Sequence, residues 1–446
     1  MEAQSESKPI TLKRTLTLRD LVMVVIGGVI GSGIFIVPGA VLRQTGGSMT
    51  LAMLVWLGGG VLSLLGALTY AELSAMNPKA GGLYIFIRDG FGSLPAFLYG
   101  WMLFFVISSG SVATLAVAFS SYFGQLMPLS PLIAKLIAIA MILVVTVVNV
   151  IGTRNAADVQ DWTTIIKVAA IVLMSVLLLM LGRGFKGSSI IPMATGGSSI
   201  ASGVGLAMIG VLWAYEGWQY VTFSAGEAID PQRNFPRALL IGSAALIGIY
   251  LLANVAYLAA LGPLKAAQTD AIAATAVTTV LGPAASRLVA IAILISIFSA
   301  TNSIALTNPR VYYAMARDGV FFHQLAKVHP RFRTPAFAVI AGSAWAIVLA
   351  ATGTFEQLLT YVVFTGWVFY ALGAASIFVF RRKGSGQVLS YRVPGYPFTP
   401  ILFVVAAAAL VLNTIVTQPG RAAIGLGILL LGTPAFFLWR AKIRKD

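Results

Sequence analysis

The chain has 446 residues, of which 58% are hydrophobic and 10% charged, with 30 Lys+Arg against 14 Asp+Glu and no cysteine. A soluble domain carries about 25% charged residues, and surface-to-volume scaling would leave much of this apolar content facing water, so lipid is the solvent. Absence of cysteine excludes a disulfide, a thiolate metal site and a cysteine nucleophile, and His323 and His329, in one polar loop, are too few for a histidine metal cluster.

The opening stretch Met1 to Leu18 is polar and lacks the apolar core of a cleavable signal, so the first apolar span is read as a retained helix. A membrane crossing needs about 20 mainly apolar residues. On that basis about twelve spans are predicted. They lie near 20–43, 49–75, 93–124, 131–150, 158–182, 200–223, 237–262, 285–316, 336–352, 357–381, 398–414 and 421–440. With the N-terminus inside, 22 of the 30 basic residues fall on inner segments and 6 on outer ones, while Lys135 and Lys167 lie within spans. That asymmetry predicts cytoplasmic N- and C-termini. It also accounts for the net charge of +16 without a nucleic-acid partner.

Spans 1 and 6 share an unusual interruption. In span 1 it is Gly31-Ser32-Gly33, and in span 6 it is Trp213-Ala214-Tyr215-Glu216-Gly217-Trp218. Span 6 comes five places after span 1, so they hold matching places in two halves of opposite topology, the pattern of an inverted-repeat transporter with its site at the breaks. The competing explanation is that Gly27, Gly28, Gly31 and Gly33 are small residues for close helix packing.

A broken helix exposes backbone groups that lipid does not tolerate. The half-helix beginning near Ile34 aims N–H groups and a positive dipole end at the break, a natural seat for a carboxylate, with Ser32 adding a hydroxyl. The half-helix ending near Trp213 offers carbonyls to an ammonium group. An anion site beside a cation site describes an α-amino acid.

Lys167 in span 5 is an intramembrane cation and so a functional candidate, unless it snorkels to the cytoplasmic interface. Glu216 in the second break could meet a substrate ammonium, carry a proton or cap the following half-helix. Trp213, Tyr215, Trp218 and Trp367 could wall a pocket or simply pack.

The ordered series Ile30-Gly31-Ser32-Gly33-Ile34-Phe35 with Pro38, Tyr70-Ala71-Glu72-Leu73, Pro78, Gly81-Gly82, Tyr84, Gly100-Trp101, Asn149, Gly152, Gln160, Lys167, the Trp213–Trp218 segment, Asn302, Pro309-Arg310 and Trp367 resembles a known family. It is similar to the amino acid–polyamine–organocation superfamily, in its L-type amino acid transporter branch of bacterial type. The resemblance implies the LeuT-type fold, an all-α membrane protein of two inverted five-helix repeats plus two C-terminal helices. It divides the chain into a cytoplasmic tail at 1–17, a first repeat at 18–182, an extracellular loop at 183–199, a second repeat at 200–383, and the last two helices with the C-terminal tail at 384–446.

The resemblance also implies residue roles. Ser32 and Gly33 hold the substrate carboxylate, with Gly31 in the same break. Carbonyls of Val29 and of the segment Trp213, Ala214 to Glu216 hold the amine, and Trp367 belongs to the pocket. The Lys167 ammonium takes the place of a coupling sodium near Gly27 and a span 8 serine, for which Ser299 is the candidate.

Two departures from the branch stand out: Trp213 where Phe is commoner, which implies a smaller pocket, and Glu216 where animal members often have Gly.

The resulting expectation is a sodium-independent exchanger of small or medium neutral amino acids, without cofactor, as a monomer in a bacterial inner membrane. Absence of cysteine excludes a disulfide-linked heavy chain. A cationic amino acid or polyamine transporter is the alternative reading. A solute channel would need a filter motif that the sequence lacks, and an enzyme would need a catalytic constellation that it lacks too.

Overall fold

The computed structural model describes residues 12–185, 200–352, 355–384, 389–417 and 419–443. Most of the expected N-terminal tail and of the 183–199 loop, and the end of the C-terminal tail, lie outside the described residues. So do Lys8, Lys186, Arg444 and Lys445 among the basic residues.

Among the described residues the secondary structure is helical. The first half comprises α1 (Leu18–Val29), α2 (Gly33–Gln44), α3 (Met49–Met76), α4 (Leu83–Phe91) and α5 (Ser93–Met102). A π-helical stretch, Leu103–Ser108, joins α5 to α6 (Ser109–Phe123), followed by α7 (Pro131–Ile151) and α8 (Thr153–Leu181). Next come α9 (Ile200–Ala214), a 3-10 segment at Trp218–Glu227, α10 (Pro231–Ala267) and α11 (Ile272–Leu281). The chain closes with α12 (Ser286–Thr307), α13 (Pro309–Arg317), α14 (Ala336–Thr352), α15 (Phe355–Lys383), α16 (Phe398–Thr417) and α17 (Pro419–Ile443).

Eight helical segments among the described residues are long and apolar enough to cross a bilayer, and the pair α1 and α2, bent by 45°, adds a ninth crossing. The protein is therefore an all-helical, multi-pass membrane protein. Helices α4 and α11, of 9 and 10 residues, are too short to span and were not anticipated among the twelve spans.

Local sequence explains the boundaries. Thr17 and Asp20 form a capping box at the start of α1. Ser48 and Ser130 cap α3 and α7 through their hydroxyls. Gly262, at φ 70, puts a kink inside α10 just before Pro263.

The polarity of the bundle suits lipid. Leu132, Leu173, Met180, Leu288, Leu430 and Leu438 face outward, whereas Ser32, Lys167, Gln219, Ser296, Ser299, Asn302 and Arg310 are all buried to 1% exposure or less. Helix α1 packs against α8, α10 and α12, and α2 packs against α9 and α10, so both halves of the broken first span lie inside the protein. At one end Glu227 accepts from Arg310 Nε at 2.6 Å and Nη2 at 2.9 Å, and from the Thr153 hydroxyl at 2.5 Å. Its backbone carbonyl also accepts from the N–H groups of Thr15 and Leu16, tying the chain before α1 to the end of the 3-10 segment.

Candidate functional site

The break between α1 and α2 covers Ile30, Gly31 and Ser32. Ile30 ends α1 in an extended conformation (φ −72, ψ 91). Ser32 precedes α2 without a side-chain hydrogen bond to it, leaving the first-turn N–H groups without a side-chain cap. The second break covers Tyr215 to Gly217, where Gly217 takes φ 121. That value lies in the region that favours glycine. The breaks meet backbone to backbone: a Cβ on Gly217 would stand 2.9 Å from the Gly28 carbonyl oxygen, and one on Gly33 would stand 2.9 Å from Ala214 Cβ. Close packing and an open site, posed as rivals from sequence, therefore coexist at the same glycines.

One cavity opens onto both breaks. Val29, Gly31, Ser32, Gly33, Trp213, Ala214 and Glu216 line it, joined by Gly28 and Tyr220, by Ser111, Thr114 and Leu115 of α6, and by Ala300 and Ile304 of α12. It holds about 50 Å³. A single water needs roughly 10–15 Å³, so the space suits a ligand of few heavy atoms. The Ser32 hydroxyl is buried and unpartnered.

Glu216 Oε1 accepts hydrogen bonds from the Tyr370 hydroxyl at 2.8 Å and the Tyr220 hydroxyl at 3.1 Å, while Oε2 is buried without a partner. The capping role is filled by another residue, since the Gly217 N–H donates to Gln219 Oε1 at 3.3 Å.

Lys167 does not snorkel. Its ammonium is buried and donates to the carbonyls of Gly27 at 2.7 Å and Ile30 at 2.6 Å, with the Ser296 carbonyl at 3.5 Å. It thus satisfies carbonyls that the end of α1 leaves open, directly behind the break.

Two expected residues sit elsewhere. Ser299 hydrogen-bonds Gln160 at 3.2 Å and Thr164 at 3.4 Å rather than the lysine. The serine that reaches the break is Ser296, one helical turn earlier, with its hydroxyl 3.0 Å from both the Ile30 and Gly31 carbonyls. Trp367 is absent from the cavity wall. It packs one layer behind, against Phe403 and Tyr370 at ring distances of 5.8 and 5.9 Å.

Tyr250 of α10 was not anticipated. Its hydroxyl lies 3.2 Å from the Val29 carbonyl and 2.8 Å from the Ala214 carbonyl, bridging the two breaks. Trp56 and Tyr215 hold its ring at centroid distances of 5.6 and 4.8 Å. Nothing in the local sequence of α10 distinguishes this tyrosine from a packing residue. Among the described residues no group of three or more His, Asp or Glu side chains could hold a metal.

A family profile described as amino acid permease matches residues 16–433. The serine/threonine exchanger SteT of Bacillus subtilis is 33% identical over 429 residues, covering 96% of this chain and 97% of its own. Large neutral amino acids transporter small subunit 2 of Rattus norvegicus is 32% identical, covering 99% of this chain and 84% of its own. The human cystine/glutamate transporter is 32% identical, covering 98% and 87%.

Proposed function

The chain belongs to the amino acid permease family, and we propose that it is a sodium-independent exchanger of small or medium neutral L-amino acids working by alternating access. It is an amino acid transporter rather than an enzyme. The observation that carries the finer reading is the single cavity flanked by the uncapped start of α2 and by the carbonyl ends of α1 and α9. A substrate carboxylate binds the N–H groups from Gly33 onward and the Ser32 hydroxyl, where the helix dipole is positive. The ammonium meets carbonyls at the ends of α1 and α9.

Lys167 supports sodium independence. Its ammonium already supplies a cation to the Gly27 and Ile30 carbonyls, so no site remains there for a coupling metal ion. The small cavity and Trp213 on its wall favour small side chains. The exchange named for the Bacillus relative is in keeping with this.

In this reading the chain crosses the membrane twelve times. Helices from 18–182 and 200–383 form two inverted repeats of five spans, and 384–446 adds two more. Both termini are cytoplasmic, and the protein acts as a monomer in a bacterial inner membrane.

Glu216 supports a second reading. Its unpartnered Oε2 on the cavity wall would suit a cationic amino acid or polyamine. Competition by each of the twenty amino acids against one labelled substrate in proteoliposomes separates the two. Small neutral amino acids compete best if the first reading holds, whereas arginine or lysine leading the series overturns it.

A further inference from the structure

The part of the cavity left for a substrate side chain is bounded by α6 and by Glu216, and its polar atoms share one property. The Ser111 hydroxyl donates to the Ile107 carbonyl at 2.7 Å, and the Thr114 hydroxyl donates to the Gly110 carbonyl at 2.7 Å. A hydroxyl has a single proton and two lone pairs. With both protons committed to the helix backbone four residues earlier, each oxygen retains only acceptor capacity, that of Ser111 lying against the Tyr220 hydroxyl. Glu216 adds to this: two tyrosine O–H groups converge on Oε1, the arrangement expected of a carboxylate acceptor, and Oε2 accepts nothing.

The remaining lining here is Tyr220, whose hydroxyl donates to Glu216, together with the apolar Leu115, Ala300 and Ile304. Among these groups Glu216 Oε2 is the acceptor left without a partner, and a buried acceptor left unpaired disfavours a bound state, so this end of the cavity rewards a side chain that brings a donor.

Building on the transport reading above, we infer that Ser111, Thr114 and Glu216 form a side-chain subsite that selects a hydrogen-bond donor, so that hydroxyl amino acids are preferred over apolar isosteres of equal size. Thr114 is buried to 3% exposure, so a second hydrogen bond to its oxygen comes from the substrate side chain more readily than from water. A site built to hydrogen-bond a ligand hydroxyl discriminates against the analogue lacking it far more strongly than a purely apolar pocket discriminates by size.

The test is binding by the purified full-length protein of two isosteric pairs, threonine against valine and serine against 2-aminobutyrate. The wild type should favour the hydroxyl member of each pair by about tenfold or more. Thr114→Val, and the double change with Ser111→Ala, should bring both ratios close to one, and Thr114→Ser should restore the preference. A general loss of folding or affinity would not produce that pattern. Equal binding within each pair by the wild type, or an undiminished preference in the double variant, overturns the subsite while leaving amino acid transport intact. Failure of every amino acid to bind overturns the transport reading beneath it as well.

Discussion

Lys167 and Ile30, 137 positions apart in the chain, meet with ammonium and carbonyl oxygen 2.6 Å apart inside the membrane. The same nitrogen reaches Gly27 at 2.7 Å, so one side chain satisfies two carbonyls released where α1 ends. A buried cation is costly unless it is well partnered, and here both the lysine and the open helix end find partners in each other. The break is stable because α8 holds it.

Removing that charge should damage transport more than stability. Lys167→Met keeps much of the apolar volume but removes the donor to the Gly27 carbonyl and leaves the Ile30 carbonyl to Ser296 alone. Initial uptake should fall by more than about tenfold, the equivalent of roughly 1.4 kcal/mol, while the protein still reaches the membrane. Comparing uptake with surface-accessible protein checks this, and uptake near the wild-type level would remove Lys167 from the mechanism.

The contact between Gly33 and Ala214 makes a sharper prediction. Even a methyl group at Gly33 would stand 2.9 Å from Ala214 Cβ and 3.3 Å from the Trp213 ring. Gly33→Leu must therefore push the breaks apart and cover the N–H groups of α2, abolishing uptake. Gly33→Ala should cost about 1–3 kcal/mol of stability, seen as a lower melting temperature in detergent. Normal transport by Gly33→Leu would refute carboxylate binding at this helix end.

Much of this site is legible in the sequence because glycine and charge are conspicuous against an apolar background. Gly31-Ser32-Gly33 and Trp213–Trp218 mark both breaks, and Lys167 declares itself as a cation mid-span. What escapes is partner identity. Tyr250 reads as one more aromatic on an apolar helix, and only the fold carries its hydroxyl to the Val29 and Ala214 carbonyls. Ser296 and Ser299 stand three residues apart on α12, and sequence does not reveal which faces the break. Glu72 of the Tyr70-Ala71-Glu72-Leu73 motif is likewise explained only by distant residues. It is buried, pairs with Arg381 at 2.7 and 2.8 Å, and accepts from the Val393 N–H at 2.5 Å. The 3-10 form of Trp218–Glu227 and the short helices α4 and α11 fall below the span length that guides the reading of an apolar chain.

Tyr250→Phe tests the bridge between the breaks. The substitution keeps the ring among Trp56 and Tyr215 but removes the hydroxyl shared by Val29 and Ala214. A loss of about 0.5–1.5 kcal/mol in stability is expected, together with weaker substrate affinity. Thermal unfolding and a binding isotherm on the same preparation check both, and an unchanged affinity would reduce Tyr250 to a packing residue.

Trp213 lies on the cavity wall. Trp213→Ala should widen acceptance toward larger neutral side chains, such as leucine and phenylalanine, at the expense of affinity for small ones. Competition against a labelled small amino acid reads the shift. A wild type that already favours tryptophan or tyrosine would contradict the assignment.

Exchange without sodium is the claim on which the rest depends, and counterflow tests it directly. Proteoliposomes loaded with labelled amino acid should release it only when unlabelled amino acid is supplied outside, at the same rate in sodium and in choline medium. Steady release without external amino acid, or release that depends steeply on sodium, would contradict the account.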